Sequence, residues 1–314
     1  TISRIGSAGI NNVRLYRKDN EARLAAGEIW NPRFIAYAKR YKILRTLNLQ
    51  SVNVSSLRSV DRLKKAGMFG YGGQWNAAGL PADVSVGAPL RMLFDMAAAA
   101  DAALWMHVPP LIGATPVFDG LYIDASNADR ERLRPTAKAE FAAIMASPEH
   151  RKYADEIVRS LVASLYPKDR TLYVERANET WNFAHPFWWT ANYYHGIADG
   201  VTGAVGIHPS YGVGYMSAHD AVQLNAALAA AGRADQAWTI VLAGQMANTE
   251  TKKGLIAGFK KYFADKGIDP APYLKRAGIS TASYYNGAFT KTGAIKAADD
   301  SAHKAAWLAA IATD

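Results

Sequence analysis

The chain of 314 residues contains no cysteine, which excludes disulfides, thiolate metal sites and a cysteine nucleophile. Arg, Asp or Gly interrupts every apolar stretch well before the about 18 residues that a membrane span needs, so no span is expected. No Ser/Gly/Pro-rich linker and no short repeat divides the sequence, and a single domain over residues 1–314 is expected. A Gly-x-Gly-x-x-Gly turn after an early strand is missing, as is a P-loop. The glycines from Gly67 to Gly73 are followed by no Lys-Ser/Thr pair, so they make no phosphate cradle. The 7 histidines are scattered without a His-Glu-x-x-His pattern, and neither a metal nor another cofactor is expected. The first residues, Thr1 to Arg4, lack both an initiator Met and a hydrophobic signal core. They suggest a processed or trimmed chain that has lost an export signal, and a secreted or cell- or virion-surface location.

Half of the residues are hydrophobic (50%) and only 20% are charged, the balance of a globular protein. Lys and Arg outnumber Asp and Glu by 36 to 27, giving a net charge of +9, without a run of five basic residues. That excess serves solubility or an anionic partner such as an acidic polysaccharide or a cell envelope. With no basic arm, stripe or recognition motif, nucleic acid is not expected as a partner.

Strand-like runs alternate with helical ones. Strands are expected at residues 13–17, 41–49, 103–108, 171–176, 237–242 and 279–285. Helices are expected at 33–40, 59–65, 89–100, from Pro135 to about Leu165, 217–231, 252–266 and 297–311. Residues 182 to 215 read as a long aromatic and Gly-rich insertion. This alternation predicts a parallel α/β protein, and its spacing suits a (β/α)8 barrel of TIM type. A closed barrel needs eight strands, so the last strands are expected to be lacking from this chain.

The segment Thr171-Leu-Tyr-Val-Glu-Arg-Ala-Asn-Glu-Thr-Trp-Asn182 carries the most chemistry. A short apolar run passes directly into Glu175, Asn178, Glu179 and Trp181, which places an amide and a carboxyl where a parallel sheet opens. Trp75, Trp181, Trp188, Trp189, Tyr193, Tyr194, Tyr211 and Tyr215 fall among Gly, Asn and Pro in loops, and are expected there either as flat platforms for sugar rings or as hydrophobic cores that pack the loops. Carboxyl beside aromatic faces is the chemistry of sugar binding and glycosidic cleavage. Glu175, inside the strand, is expected to pair with an arginine such as Arg45. Glu250 is the best second catalytic carboxylate, against a role as an N-terminal acid on the helix beginning near Thr251. Asp119 and Asp124 are expected as solvated loop acids. His107 ends its strand beside two prolines, placed either to bond substrate or to brace the fold.

Val174-Glu-Arg-Ala-Asn-Glu-Thr-Trp-Asn182 resembles the fourth-strand signature of clan A glycoside hydrolases. It is most similar to bacterial cellulase-like proteins with Val-Glu-x-x-Asn-Glu-x-Trp-Asn in that strand. The resemblance implies a retaining (β/α)8 enzyme cleaving a β-linked polysaccharide, with Glu179 as acid/base and Asn178 bonding the sugar hydroxyl next to the anomeric carbon. Arg45, Asn48 and Asn53 are similar to the polar-ended second strand of such barrels. His107 and Tyr285 occupy positions of substrate-contacting residues, and Trp181 and Trp75 complete the expected binding set. The family's nucleophile ends strand seven, which is not found, so a missing segment or a partner chain is expected to complete the barrel. Two alternatives stand beside the hydrolase. One is a non-catalytic carbohydrate-binding barrel on a cell or virion surface. The other is a polysaccharide lyase with Tyr285 or His107 as base and Arg45 as carboxylate clamp.

Overall fold

The computed structural model describes residues 18–64, 87–115, 122, 124–184, 187–245 and 248–282. Five strands form one parallel sheet: β1 (Ile43–Arg45), β2 (Ala103–Val108), β3 (Leu172–Arg176), β4 (Trp238–Gln245) and β5 (Ala277–Ala282). Their order in space is their order in sequence, with every neighbouring pair parallel. The helices are α1 (Glu21–Ala25), α2 (Pro32–Ala38), α3 (Leu90–Ala100), α4 (Asn127–Ala146), α5 (Glu149–Ala163), α6 (Trp188–Thr202), α7 (Pro209–Ala230), α8 (Thr249–Lys266) and α9 (Ala271–Leu274). The expected α/β class is therefore observed. The strand expected at 13–17 and the helix expected at 297–311 lie outside the described residues.

Alternation along the strands separates two faces. Leu104, Met106, Leu172, Val174, Ile240 and Leu242 point to one side and are almost fully buried in the hydrophobic core. The core is closed by α3 against β2, α7 against β3 and β4, and α8 against β4. Arg45, Trp105, His107, Tyr173 and Glu175 share the opposite side, brought level by the register Arg45↔Trp105, Trp105↔Tyr173 and His107↔Glu175.

Several elements depart from the sequence expectation. The strand expected over 41–49 is only three residues long, because Thr46 and Gln50 turn the chain: the Thr46 amide and hydroxyl both donate to the Trp105 carbonyl. The helix expected at 59–65 is a single 3-10 turn, Val60–Arg62. Pro135 does not open α4 but lies inside it; the start is at Ser126, whose hydroxyl oxygen accepts from the Asp129 amide.

The largest difference is the segment read as an aromatic insertion, which folds into α6 and the first two turns of α7. Pro209 follows a His208 N-cap, a favourable helix start, so α7 begins eight residues before the expected one. Gly214 and Gly258 are contact points rather than loop residues. A β-carbon at Gly214 would overlap the Leu255 carbonyl, and one at Gly258 the Tyr211 carbonyl, so α7 and α8 touch backbone to backbone.

Candidate functional site

The side of the sheet away from the helices carries a hydrogen-bonded polar cluster. One Arg45 nitrogen, Nη2, donates to Glu175 Oε2 and to Asn178 Oδ1, both at 2.9 Å. Trp105 Nε1 donates to the same carboxylate oxygen at 2.8 Å, while the Arg45 guanidinium lies 5.1 Å over the Trp105 ring. The pairing of Glu175 with Arg45 matches the expectation for a carboxyl inside the sheet. Trp105 was missed in the sequence, although it stands two residues before His107 and must share its face.

Glu175 is 2% exposed. Burial pushes its carboxyl up to about 7, against the pull of Arg45 and Trp105, and the nearby Glu179 adds to the rise. Around neutral pH this group exchanges a proton. His107 is fully buried, and burial, with Arg45 adding to it, holds its imidazole down to about 3, so it is neutral. Its Nδ1 lies 2.8 Å from the Ala177 carbonyl and donates there, which leaves Nε2 an acceptor without a hydrogen-bond partner among the described residues. The His107 backbone is clamped. Gln50 accepts from its amide and donates to its carbonyl, and the Tyr153 hydroxyl donates to the same carbonyl.

Beyond Arg176 the ladder ends. Ala177 (φ 54°) and Glu179 (φ 45°) both adopt left-handed backbone, a conformation costing roughly 1–3 kcal/mol each in a non-glycine residue and concentrated at functional sites. This double bend leaves Asn178 pointing into the cluster. Its oxygen accepts from Arg45, and its amide nitrogen donates to Asn53 Oδ1 at 3.0 Å, leaving one N–H in excess of these two bonds. The Asn53 carbonyl in turn accepts from Trp189 Nε1. Glu179 is partly exposed, and its Oε2 accepts from Asn182 Nδ2 at 2.9 Å. Trp181 beside it is buried, with an indole N–H that has no partner among the described residues.

Arg45, His107, Asn178, Glu179 and Trp181 thus gather at the end of β3 and its neighbours. Asn48 is exposed in the turn after β1. Glu250 sits in the first turn of α8 behind the Asn248 cap, exposed and accepting from Lys253 at 2.9 Å, which is the helix-terminus role. Asp124 is exposed. Tyr285, Trp75 and Asp119 lie outside the described residues. The expected loop platforms are corrected: Trp189, Tyr193, Tyr194 and Tyr215 are buried on α6 and α7. They are core because these two helices are buried almost all round between neighbouring helices.

A second polar group, unread in the sequence, lies behind β3. Arg176 Nη1 donates to both Asp220 oxygens, at 2.9 and 3.0 Å, and Arg176 Nε donates to the Tyr194 hydroxyl. His150 and His219 stack edge to face against each other at 4.7 Å beside it. Its position on the core side makes it a brace for the strand that carries Glu179.

No family model, curated protein or solved structure matches this chain.

Proposed function

We propose that the chain is a glycoside hydrolase built on a (β/α)8-type wall, acting on a β-linked polysaccharide with Glu179 as acid/base. Parallel strands that follow sequence order without reversal support a barrel wall over a doubly wound sheet, where the order switches direction. The observation that carries the function is Glu179 itself. It is a partly exposed carboxyl on left-handed backbone, beside an Asn178 amide fixed by Arg45 and Asn53 with an N–H to spare. In this mechanism Glu179 protonates the leaving oxygen and later deprotonates water, while Asn178 holds a sugar hydroxyl. A retaining enzyme needs a second carboxylate about 5 Å away. Glu175 does not serve, since it is buried and shares its oxygen between Arg45 and Trp105. The nucleophile in this reading is supplied from outside the described residues, by this chain or by a partner chain. A secreted or surface location suits such an activity.

Reducing-sugar release from a panel of β-linked polysaccharides tests this. Glu179→Gln should lower it by about a hundredfold or more while leaving the melting temperature close to that of the parent. The committed state of Glu175 favours one further reading, a carbohydrate-binding wall without catalysis. It is indicated by equal glycan binding, and no release, from both proteins. A lyase with His107 as its base is disfavoured, because burial holds that imidazole near 3 and makes it a poor base at neutral pH; Tyr285, the other base considered, lies outside the described residues, and unsaturated, ultraviolet-absorbing products would favour it.

A further inference from the structure

From Ile29 to Val60 the chain has no acidic residue, yet carries Arg33, Lys39, Arg40, Lys42, Arg45 and Arg58. Four of these, Arg33, Lys39, Arg40 and Lys42, lie on α2 or between it and β1, although no basic run marks them in the sequence. The same stretch exposes large rings. Phe34 is 41%, Tyr37 53% and Tyr41 46% exposed. These rings are ordered against one another. Tyr37 and Tyr41 meet edge to face at 5.4 Å with their hydroxyls bonded at 2.6 Å, and Phe34 stacks on Trp30 at 5.5 Å. Arg40 lies 5.9 Å over the Tyr37 ring. A cavity of about 550 Å³ lies along the Pro32, Ile35, Ala36 and Lys39 side of α2, away from Tyr37, and reaches Trp30; its carboxylates, Glu28 and Asp95, are already bonded to Arg23 and Arg91. Contiguous exposed rings of this kind mark a binding surface.

We infer that this face holds an acidic polysaccharide of the polyuronate class. The C–H faces of its sugar rings lie on Phe34, Tyr37 and Tyr41, and its carboxylates meet Arg33, Lys39, Arg40 and Lys42. Charge complementarity selects the anion, and the flat rings tipped with hydroxyls select the sugar. A bilayer is a poorer match, because α2 has seven residues and lacks the long aliphatic face of an interfacial helix. The surface lies at the start of β1, and the proposed site at the opposite end of the parallel strands. The segment from Tyr41 along β1 to Arg45 spans about 13 Å at the rise of a strand, and Arg45 is the residue that bonds Asn178. The choice of glycan over nucleic acid rests on the carbohydrate reading of that site.

Calorimetric titration of the full chain with polygalacturonate, its fully methyl-esterified form, oligothymidylate and phosphatidylserine vesicles tests the inference. Polygalacturonate should bind, more weakly as salt rises, and the neutral ester at least about tenfold more weakly. Lys39→Glu/Arg40→Glu and Tyr37→Ala/Tyr41→Ala, all at exposed positions, should each weaken binding by at least about tenfold without lowering the melting temperature. Unchanged affinity in both double variants, or tighter binding of oligothymidylate or vesicles, overturns the inference. Polyuronate held at α2 by a protein that cleaves no polysaccharide refutes the hydrolase reading alone. Cleavage of a neutral polysaccharide without polyuronate binding refutes this inference alone.

Discussion

Replacing Glu175 by Gln should change how stability depends on pH, and the sign follows from the surroundings of the carboxyl. Its pKa rises from 4.5 to about 7 in the folded chain, chiefly through burial. Between those values the folded state binds the proton more readily than the unfolded state, so stability falls as pH rises. Each pH unit is worth about 1.4 kcal/mol per proton, which makes the full loss roughly 3 kcal/mol by pH 8. Glutamine keeps a carbonyl oxygen for Arg45 and Trp105 but does not titrate. The two proteins should therefore be close in stability near pH 4.5, with the variant gaining on the parent up to pH 8. Urea unfolding followed by tryptophan fluorescence at half-unit pH steps measures this, and Trp105 is a reporter in contact with the carboxyl. Only the difference between the two curves matters. The other buried groups are common to both proteins, and Arg45, His107 and Glu179 are the charged and titratable groups that face Glu175. A difference that stays flat from pH 4.5 to 8, or that runs against the variant, refutes the reasoning.

Two further perturbations probe the scaffold. Gly258→Ala should cost about 3 kcal/mol or more, because the new methyl meets the Tyr211 carbonyl rather than a side chain that can move; a lowered melting temperature checks it. Asp220→Ala leaves the fully buried Arg176 guanidinium without its carboxylate and should cost about 3–5 kcal/mol in chemical denaturation.

How much of this was legible in the sequence depended on which force dominated each stretch. Residues 103–108 and 172–176 are short, mostly apolar runs that pair side by side within the described sheet, and that run of apolar residues located them. Parity along the strands puts Arg45 on the same face as Glu175. The stretch from 41 to 49 is as apolar as a strand, but the side chains of Thr46 and Gln50 bond around Trp105 and His107, and such a turn leaves no local pattern. Gly212 and Gly214 misled for a different reason. Glycine is costly in a helix interior, so local propensity argued for a loop. The compensation is tertiary, since both positions meet a neighbouring helix backbone, Tyr194 for one and Leu255 for the other. Once those helices form, the aromatic residues fall into the core.

The candidate site itself divides two carboxylates that stand four residues apart. Glu175 is still within the β ladder, on the face where Arg45 and Trp105 reach it, and desolvation sets its behaviour. Glu179 comes after the ladder has ended and after Ala177 has turned left-handed, so the chain lifts it out of the sheet into partial exposure. One strand end thus holds a buried acid that anchors an arginine and a partly exposed one beyond the ladder. The arginine links them, since its Nη2 binds Glu175 on one side and orients Asn178 on the other. Ionisation of Glu175 strengthens its hold on Arg45, and Arg45 in turn fixes the amide next to Glu179. The protonation state of Glu175 is thereby coupled to the geometry beside the residue proposed to act.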